Sequence, residues 1–187
     1  MVALAASAGG LSALSEVLSS LPAGFAAPIM VVQHLDPEHR SWMAEILRRR
    51  TGLRVEQVRG GERLAAGSVY LAPPDHHLLV AADGELSLSD TARVRFSRPS
   101  ADVLFASLAA SWGSGAIAVV LTGTGSDGAD GVRAVKRQGG TVIVQDEASA
   151  EFSGMPDAAI RTGTADRILP LGAIAAVLTE LTDRTDH

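Results

Sequence analysis

Near the start of the chain stands Val2-Ala3-Leu4-Ala5-Ala6-Ser7-Ala8-Gly9-Gly10, an apolar run that ends in a serine and two glycines. Short continuous apolar runs are typical of buried strands in a parallel sheet. Behind the glycines, apolar residues recur at the spacing of one helix face: Leu11, Leu14, Val17, Leu18 and Leu21. The stretch therefore predicts a strand that turns sharply into a helix, with Ser7 in the turn.

The same alternation continues along the chain and indicates βαβ units. Further strands are predicted at 28–33, 116–120, 141–145 and 168–169, and helices at 39–51, 100–112, 128–138, around Pro156 and at 173–181. Four short pieces at 55–58, 68–72, 77–81 and 86–88 are interpreted as an antiparallel excursion, with a hairpin turn at Asp83-Gly84. We expect one α/β domain over residues 1–187, with a mainly parallel, doubly wound sheet and an antiparallel hairpin element.

Composition excludes several classes of function. The formal net charge of −5 argues against a general nucleic-acid binder. The absence of cysteine excludes disulfides, a thiolate nucleophile and a cysteine metal site. No apolar run reaches the roughly 18 residues of a membrane span, and no basic residue precedes Arg40 as a signal peptide would require. We expect a cytoplasmic protein without membrane insertion; its oligomeric state is left open.

Three polar residues each follow a predicted strand, namely Ser7 after 2–6, His34 after 28–33 and Asp127 after 116–120. In open α/β sheets the functional site lies outside the carboxyl ends of the strands, and neighbouring strands are only about 4.8 Å apart. A serine at a strand-to-helix turn has an exposed hydroxyl and amide N–H groups that can stabilise an oxyanion. A nearby histidine can take its proton, and a carboxylate can orient that histidine. The three residues predict the catalytic triad of a serine hydrolase.

Other histidines compete for the role of the base. His39 is expected on a solvent-facing helix, and His76 or His77 could line the cleft. No pair of histidines has helical metal-ligand spacing with a carboxylate, so we expect neither a metal nor a cofactor.

A nucleotide-binding alternative comes from Gly123-x-Gly125-x-x-Gly128, which spells a dinucleotide fingerprint, with Asp146 about 20 residues on. The objection is electrostatic, because Asp127 would place a carboxylate where a pyrophosphate must lie. The same carboxylate suits a residue that orients a histidine. Asp102 and Asp130 are expected to be surface or capping carboxylates.

Arginines cluster at Arg93, Arg95 and Arg98, ahead of the predicted helix 100–112. They are interpreted either as a solvated loop or as a basic patch beside the cleft. A basic patch would suit a Glu-rich partner surface, because the protein as a whole is negative.

At these residues the sequence resembles a known family. Six motifs occur in order: Ala6-Ser7-Ala8-Gly9-Gly10, Gln33-His34, Leu71-Ala72-Pro73-Pro74-Asp75-x-His77, Arg98-Pro99-Ser100-x-Asp102-Val103-Leu104-Phe105, Leu121-Thr122-Gly123-x-Gly125-x-Asp127-Gly128 and Gly154-Met155-Pro156-x-x-Ala159-Ile160. Together they resemble the catalytic domain of the chemotaxis protein-glutamate methylesterase (CheB-type) family over essentially the whole chain.

The resemblance implies hydrolysis of glutamate γ-methyl esters on the cytoplasmic helices of chemoreceptors, with release of methanol, and glutamine deamidation as a second activity. It matches Ser7 to the nucleophile, His34 to the general base and Asp127 to the orienting acid. Ala5, Ala8 and Thr124 stand where the family usually has Gly, Thr and Met. A catalytically weak member that acts as a binding module is therefore a further alternative. The receiver domain of many family members is expected to be absent, which predicts constitutive activity.

Overall fold

A seven-stranded parallel sheet forms the centre of the fold, in the strand order β3-β4-β2-β1-β7-β8-β9. The computed structural model describes residues 1–34 and 41–183. The strands are β1 Val2–Ala6, β2 Ile29–Gln33, β3 Arg54–Gln57, β4 Ser68–Leu71, β5 His77–Val80, β6 Leu86–Ser89, β7 Ile117–Val120, β8 Thr141–Gln145 and β9 Arg167–Leu169. The helices are α1 Gly10–Ser20, α2 Met43–Arg48, α3 Ala101–Trp112, α4 Ala129–Arg137, α5 Gly154–Ile160 and α6 Leu171–Asp183. The α/β fold expected from the sequence is confirmed.

Two apolar cores lie on opposite faces of this sheet, because successive side chains of a strand point to opposite sides. Leu4 and Ala6 of β1 face a core shared with α1, α2 and α6. Ala3 and Ala5 face a second core shared with α3, α4, α5 and the β5–β6 hairpin. All five residues of β1 are fully buried, which explains why the strand is continuously apolar.

The order in which strands are added to the sheet changes side at β1, and this change determines where the candidate site lies. From β1 it builds outward through β2 to the β3–β4 edge, then returns to β7 on the other side of β1. Ala6 pairs with Gln33 of β2, and Ala5 pairs with Val120 of β7. A crevice opens where neighbouring loops diverge from the carboxyl ends of strands on either side of such a switch point. The loops after β1, β2 and β7 meet there.

The antiparallel excursion expected in the middle of the chain is only partly correct. β5 and β6 do form an antiparallel hairpin, and Gly84 in its turn has φ +80°. However, β3 and β4 pair in parallel and form the edge of the main sheet. The segment between them is an irregular crossover that hydrogen-bonds to the hairpin, through Gly61 N–H to the Leu86 carbonyl and Leu64 N–H to the Gly84 carbonyl. The crossover has no helical periodicity in its sequence. It packs on the β5–β6 hairpin, where a crossover between parallel strands usually contains a helix of its own.

Helices α3 and α4 approach closely through a glycine. A Cβ added to Gly131 would lie 2.7 Å from the Phe105 Cβ and 3.1 Å from the Asp102 Cα. Both atoms belong to α3, so a larger residue at position 131 would push the two helices apart and shift the loops at their N-termini. The predicted helix 39–51 is observed over Met43–Arg48, and its residues 39 and 40 lie outside the described residues.

Gly131→Ala should lower the free energy of unfolding by about 1–3 kcal/mol, because the added methyl group overpacks the contact between α3 and α4. Gly172→Ala is the matched control, since a Cβ there meets only the Glu16 Oε1 at 3.5 Å. The control should be neutral or slightly stabilising, because alanine favours helix over glycine. Urea unfolding of the two variants measures the difference; equal stabilities would mean that the helices adjust without cost.

Candidate active site

Ser7 lies in the sharp turn that the sequence predicts between β1 and α1. Its backbone N–H donates to the Thr122 carbonyl at 3.0 Å, and its carbonyl accepts from the Gly10 N–H at 2.9 Å. Gly9 makes the turn possible with φ +76°, a left-handed conformation that favours glycine. The turn is therefore fixed on both sides, by the loop after β7 and by the first turn of α1.

His34 lies next to Ser7 because the parallel pairing of β1 and β2 continues by one hydrogen bond beyond the strands. The His34 N–H donates to the Ala6 carbonyl at 3.1 Å. The two residues thus leave adjacent strands at the same level, where the strand spacing is about 4.8 Å. Among the described residues, no hydrogen bond joins the Ser7 hydroxyl to the His34 ring. Catalytic hydrogen bonds are often long without substrate, so this geometry is compatible with a nucleophile and its base.

Gln33 connects the serine loop to the histidine loop, a role that the sequence analysis missed. Its side chain is 7% exposed, and its Nε2 donates to the Ser7 carbonyl at 2.8 Å and to the His34 carbonyl at 3.0 Å. A Cβ on Gly10 would overlap the Gln33 carboxamide, so glycine is required there. The available signal was a polar residue at the buried end of an apolar run.

Asp127 holds the histidine and is itself the best-bonded carboxylate of the site. Its Oδ2 lies 2.7 Å from the His34 Nε2. It also accepts hydrogen bonds from the Ser100 hydroxyl at 2.7 Å and from the backbone N–H groups of Ala101 at 2.7 Å and Asp102 at 3.0 Å. The two backbone donors belong to the first turn of α3, so Asp127 caps that helix from outside it. The carboxylate is 3% exposed.

The pKa of Asp127 lies below its ordinary value, although two effects oppose each other. Burial is the largest single influence and by itself would raise the pKa of Asp127. The hydrogen bonds from His34, from the two α3 backbone N–H groups and from Ser100 together outweigh burial, because they all favour the ionised form. The site therefore provides a permanent negative charge beside the imidazole at neutral pH.

Asp102, in α3, in turn caps the start of α4. Its Oδ1 accepts from the Gly128 N–H at 3.0 Å and the Gly131 N–H at 2.7 Å, at the start of α4. Burial and the charge of Asp127 raise the pKa of Asp102, although the Gly131 N–H and the Arg95 guanidinium favour its ionised form. Asp102 in α3 thus caps α4, and Asp127, which precedes α4, caps α3. The capping role expected of Asp102 agrees with its contacts.

This arrangement disfavours the nucleotide-binding alternative. In a dinucleotide site the amides at the start of the helix after the glycine-rich loop bind the pyrophosphate. Here the Gly128 and Gly131 amides already bind the Asp102 carboxylate. Asp127 adds a second buried negative charge at the same place, which would repel a phosphate.

The other histidines have structural surroundings. His77 is fully buried; its Nδ1 accepts from the Ser100 N–H at 3.2 Å, so its Nε2 carries the proton and donates to the Ala92 carbonyl at 3.1 Å. His77 therefore braces the turn before α3 rather than lining the cleft. The His76 side chain is 43% exposed and contacts Asp90. His39 lies outside the described residues.

The arginine cluster is paired with carboxylates. Arg95 contacts Asp102 and Asp130, and Arg98 donates to the Asp75 carboxylate at 2.9 Å. The Arg93 guanidinium lies 3.7 Å from the same Asp75 carboxylate. These arginines still contribute positive potential at the surface, but the main effect of Arg95 and Arg98 is to hold the segment before α3 in place.

A cavity of about 390 Å³ opens beside Ser7, between α1 and α2, and its wall includes Met43 and Arg50. A larger cavity of about 790 Å³ lies between α2 and β3, away from Ser7, His34 and Asp127. The smaller cavity is the candidate place for a substrate side chain, because Ser7 is part of its lining. Gly123 packs directly against Ser7, because a Cβ there would lie 2.8 Å from the Ser7 Cβ.

Comparison with known proteins agrees with this geometry. The family model described as CheB methylesterase matches residues 2–178. The chain belongs to the CheB methylesterase family. The crystal structure of the Thermotoga maritima CheB methylesterase catalytic domain superimposes with a TM-score of 0.92, at 38% identity over 96% of this chain and 97% of that one.

Two curated relatives in the family are similarly close in sequence. The protein-glutamate methylesterase FrzG of Myxococcus xanthus is 42% identical over 98% of this chain and 55% of its own length. Protein-glutamate methylesterase/protein-glutamine glutaminase 1 of Burkholderia lata is 44% identical over 97% of this chain and 54% of its own length. The chain thus spans about half the length of these relatives.

Within residues 1–34 and 41–183, no group of three or more histidine or acidic side chains is placed to hold a metal ion. The helices in that part of the chain are also too short or too polar to cross a membrane.

Asp127→Asn should lower the free energy of unfolding at neutral pH by about 1–3 kcal/mol, because an amide nitrogen cannot accept the hydrogen bonds that the carboxylate receives. The folded-state pKa of Asp127 is lowered, so its stabilising effect is present above the ordinary value of 3.8 and is lost as pH falls further through the folded value. Urea unfolding at pH 7 and below pH 4 should show the gap between wild type and variant narrowing in acid. A gap that does not change with pH would assign the loss to packing alone.

Proposed function

We propose that this chain is the catalytic domain of a protein-glutamate methylesterase, a serine hydrolase with Ser7 as nucleophile, His34 as general base and Asp127 as orienting acid. The observation that carries the proposal is the contact of 2.7 Å between His34 and the buried Asp127, one strand away from a serine in a strand-to-helix turn. The names of the relatives, which include methylesterase and glutaminase, supply the reaction class.

The ring orientation of His34 supports a separate role for each of its nitrogens in this proposal. Because Nε2 contacts Asp127, Nδ1 is the nitrogen left to accept a proton. Nδ1 is bonded to the ring carbon next to Cβ, so it stays near the end of β2, beside Ser7. The roles of the two nitrogens are thus exchanged relative to the trypsin template of such triads, while the chemistry is the same.

The reaction then proceeds through an acyl-enzyme. The Ser7 oxygen attacks the ester carbonyl as its proton passes to His34, and Asp127 stabilises the imidazolium. The carbon–oxygen bond to the methoxy group breaks, and His34 returns the proton to release methanol. Water, deprotonated by the same histidine, hydrolyses the acyl-enzyme to a glutamate carboxylate and free Ser7. A glutamine side chain would follow the same route with ammonia as the leaving group.

In the proposed mechanism, backbone amides at the start of α1 stabilise the oxyanion. Among the described residues, the N–H groups of Ala8 and Gly9 have no hydrogen-bond acceptor, whereas Gly10 N–H is bonded to Ser7. They lie at the positive end of the α1 dipole, next to the nucleophile. Ala8 would act here through its backbone, which the Thr122 hydroxyl fixes by donating to the Ala8 carbonyl at 3.0 Å. The alanine side chain is thus compatible with catalysis, which weakens the binding-module alternative.

The proposed substrates are methylated glutamate side chains on the cytoplasmic helices of chemoreceptors. A glutamyl ester is a flexible side chain that can extend from a helix surface to reach a recessed serine. The cavity beside Ser7 is of a size for such a side chain, and Arg50 in its wall adds positive charge near a Glu-rich surface.

Ser7→Ala and His34→Ala should each abolish nearly all methanol release from a methylated receptor fragment, and the double variant should be little worse than either. Members of a triad act as a unit, so their losses do not add. Ser19→Ala and His76→Ala are matched controls on the surface and should retain full activity. Methanol release is measured for the wild type and the five variants; losses that multiply in the double variant would contradict a shared Ser–His step.

A further inference from the structure

A two-residue hairpin turn next to the site holds a phenylalanine in an unusual position. Val94 and Ser97 exchange backbone hydrogen bonds of 3.1 and 2.8 Å, and the residues between them, Arg95 and Phe96, have φ values of +49° and +66°. Turns of this type normally use Asn-Gly, because left-handed conformations are unfavourable for residues with bulky side chains. The strained conformation needs compensation from elsewhere.

The compensation comes from Arg95 and not from Phe96. The Arg95 guanidinium donates to the Asp102 carboxylate at 3.1 Å and the Ser126 hydroxyl at 3.0 Å, and it also pairs with Asp130. Phe96 is 96% exposed, so its side chain gains nothing from packing within the chain. The turn is therefore an anchored structure whose effect is to hold one aromatic ring in solvent.

The turn borders the proposed site on one side, and a second exposed aromatic residue borders it on the other. Arg95 bonds Ser126, the residue before Asp127. At the other end of the same loop, Phe152 accepts from the Gly123 N–H at 2.9 Å through its carbonyl and is 40% exposed. The chain has only two Trp, one Tyr and four Phe, and among the described residues three of these aromatic side chains are exposed: Trp42, Phe96 and Phe152. Two of the three thus lie at the two ends of this one loop.

We propose that Phe96 and Phe152 form the docking surface for the helix of the substrate protein, with one ring on each side of the loop 123–128. This proposal rests on the proposed function, since a glutamyl side chain that reaches Ser7 brings its own helix close to the loops around the site. Apolar side chains that flank the glutamyl residue on that helix would bury the two rings. Exposed aromatic residues dominate the energetics of many protein interfaces, because a ring buries a large area at a small entropic cost.

Phe96→Asn tests the proposal without disturbing the turn, because asparagine tolerates positive φ better than phenylalanine does. The assay compares kcat/KM for a methylated receptor cytoplasmic fragment with kcat/KM for 4-nitrophenyl acetate. We expect roughly a tenfold loss on the receptor fragment, mainly in KM, and no change on the small ester. Phe152→Ser should behave in the same way. Ile168→Asn is the matched control, an apolar residue that is 48% exposed on the edge strand β9, and it should leave both substrates unaffected.

Equal losses on both substrates, or no loss on either, would overturn the docking role. A wild-type dimer in sedimentation that Phe96→Asn converts to monomer would assign the surface to a second copy of the chain and would also overturn it. If wild type released no methanol from any ester, the proposed function would fail. Fluorescence anisotropy of a labelled receptor fragment would then still test docking, since weaker binding by Phe96→Asn than by Ile168→Asn supports the surface independently of catalysis.

Discussion

The buried carboxylate of Asp127 is the group on which the rest of the site depends. It accepts four hydrogen bonds from described residues, and these come from two separate parts of the chain: the imidazole after β2, and the start of α3, through the Ser100 hydroxyl and the first two amides of the helix. A buried charge is tolerated only when it is bonded in this way. The same bonds that offset the cost of burying the carboxylate also fix His34 relative to α3, so the geometry of the candidate site and the stability of the fold depend on one set of contacts.

The two capping carboxylates and the glycines near them bring the starts of α3 and α4 and the Ser7 loop close together. Asp127 caps α3 and Asp102 caps α4, which draws the starts of the two helices together. Gly131 permits the close contact of the helices, and Gly123 permits the approach of the Ser7 loop. The glycines that spell a nucleotide fingerprint thus have other local reasons: Gly123 packs against Ser7 and Met155, and Gly125 and Gly128 adopt φ values of +85° and +98°. An anion site and this arrangement exclude each other, because both require the same amides.

A second connection joins the proposed nucleophile to the proposed base directly. Gln33 bonds the carbonyls of both Ser7 and His34 from a buried position, so the two loops cannot move independently. In contrast, the rim of the site is anchored by partly exposed ion pairs around Arg95 and Arg98, which salt weakens. The site therefore combines a rigid, buried interior with a polar rim that presents aromatic side chains to solvent.

The sequence by itself determined the fold class, the strands β1, β2, β7 and β8 and the position of Ser7, His34 and Asp127 at strand ends. These features follow from local rules: an apolar run of strand length, a glycine after a strand, and a helical period next in the chain. Predicting that His34 and Asp127 lie close together needed only one further rule, that the loops after parallel strands meet at one edge of the sheet.

The tertiary structure alone decided which partners the remaining polar groups have. Nothing local distinguishes β3 and β4 from antiparallel strands, because their pairing depends on a crossover that packs on a hairpin later in the chain. Likewise, Gln33, His77 and Arg95 acquire their roles from residues far away in sequence, and a hydrogen bond between distant residues leaves no periodic signal. Burial and distance set these partners, and both exist only once the sheet has brought its loops together.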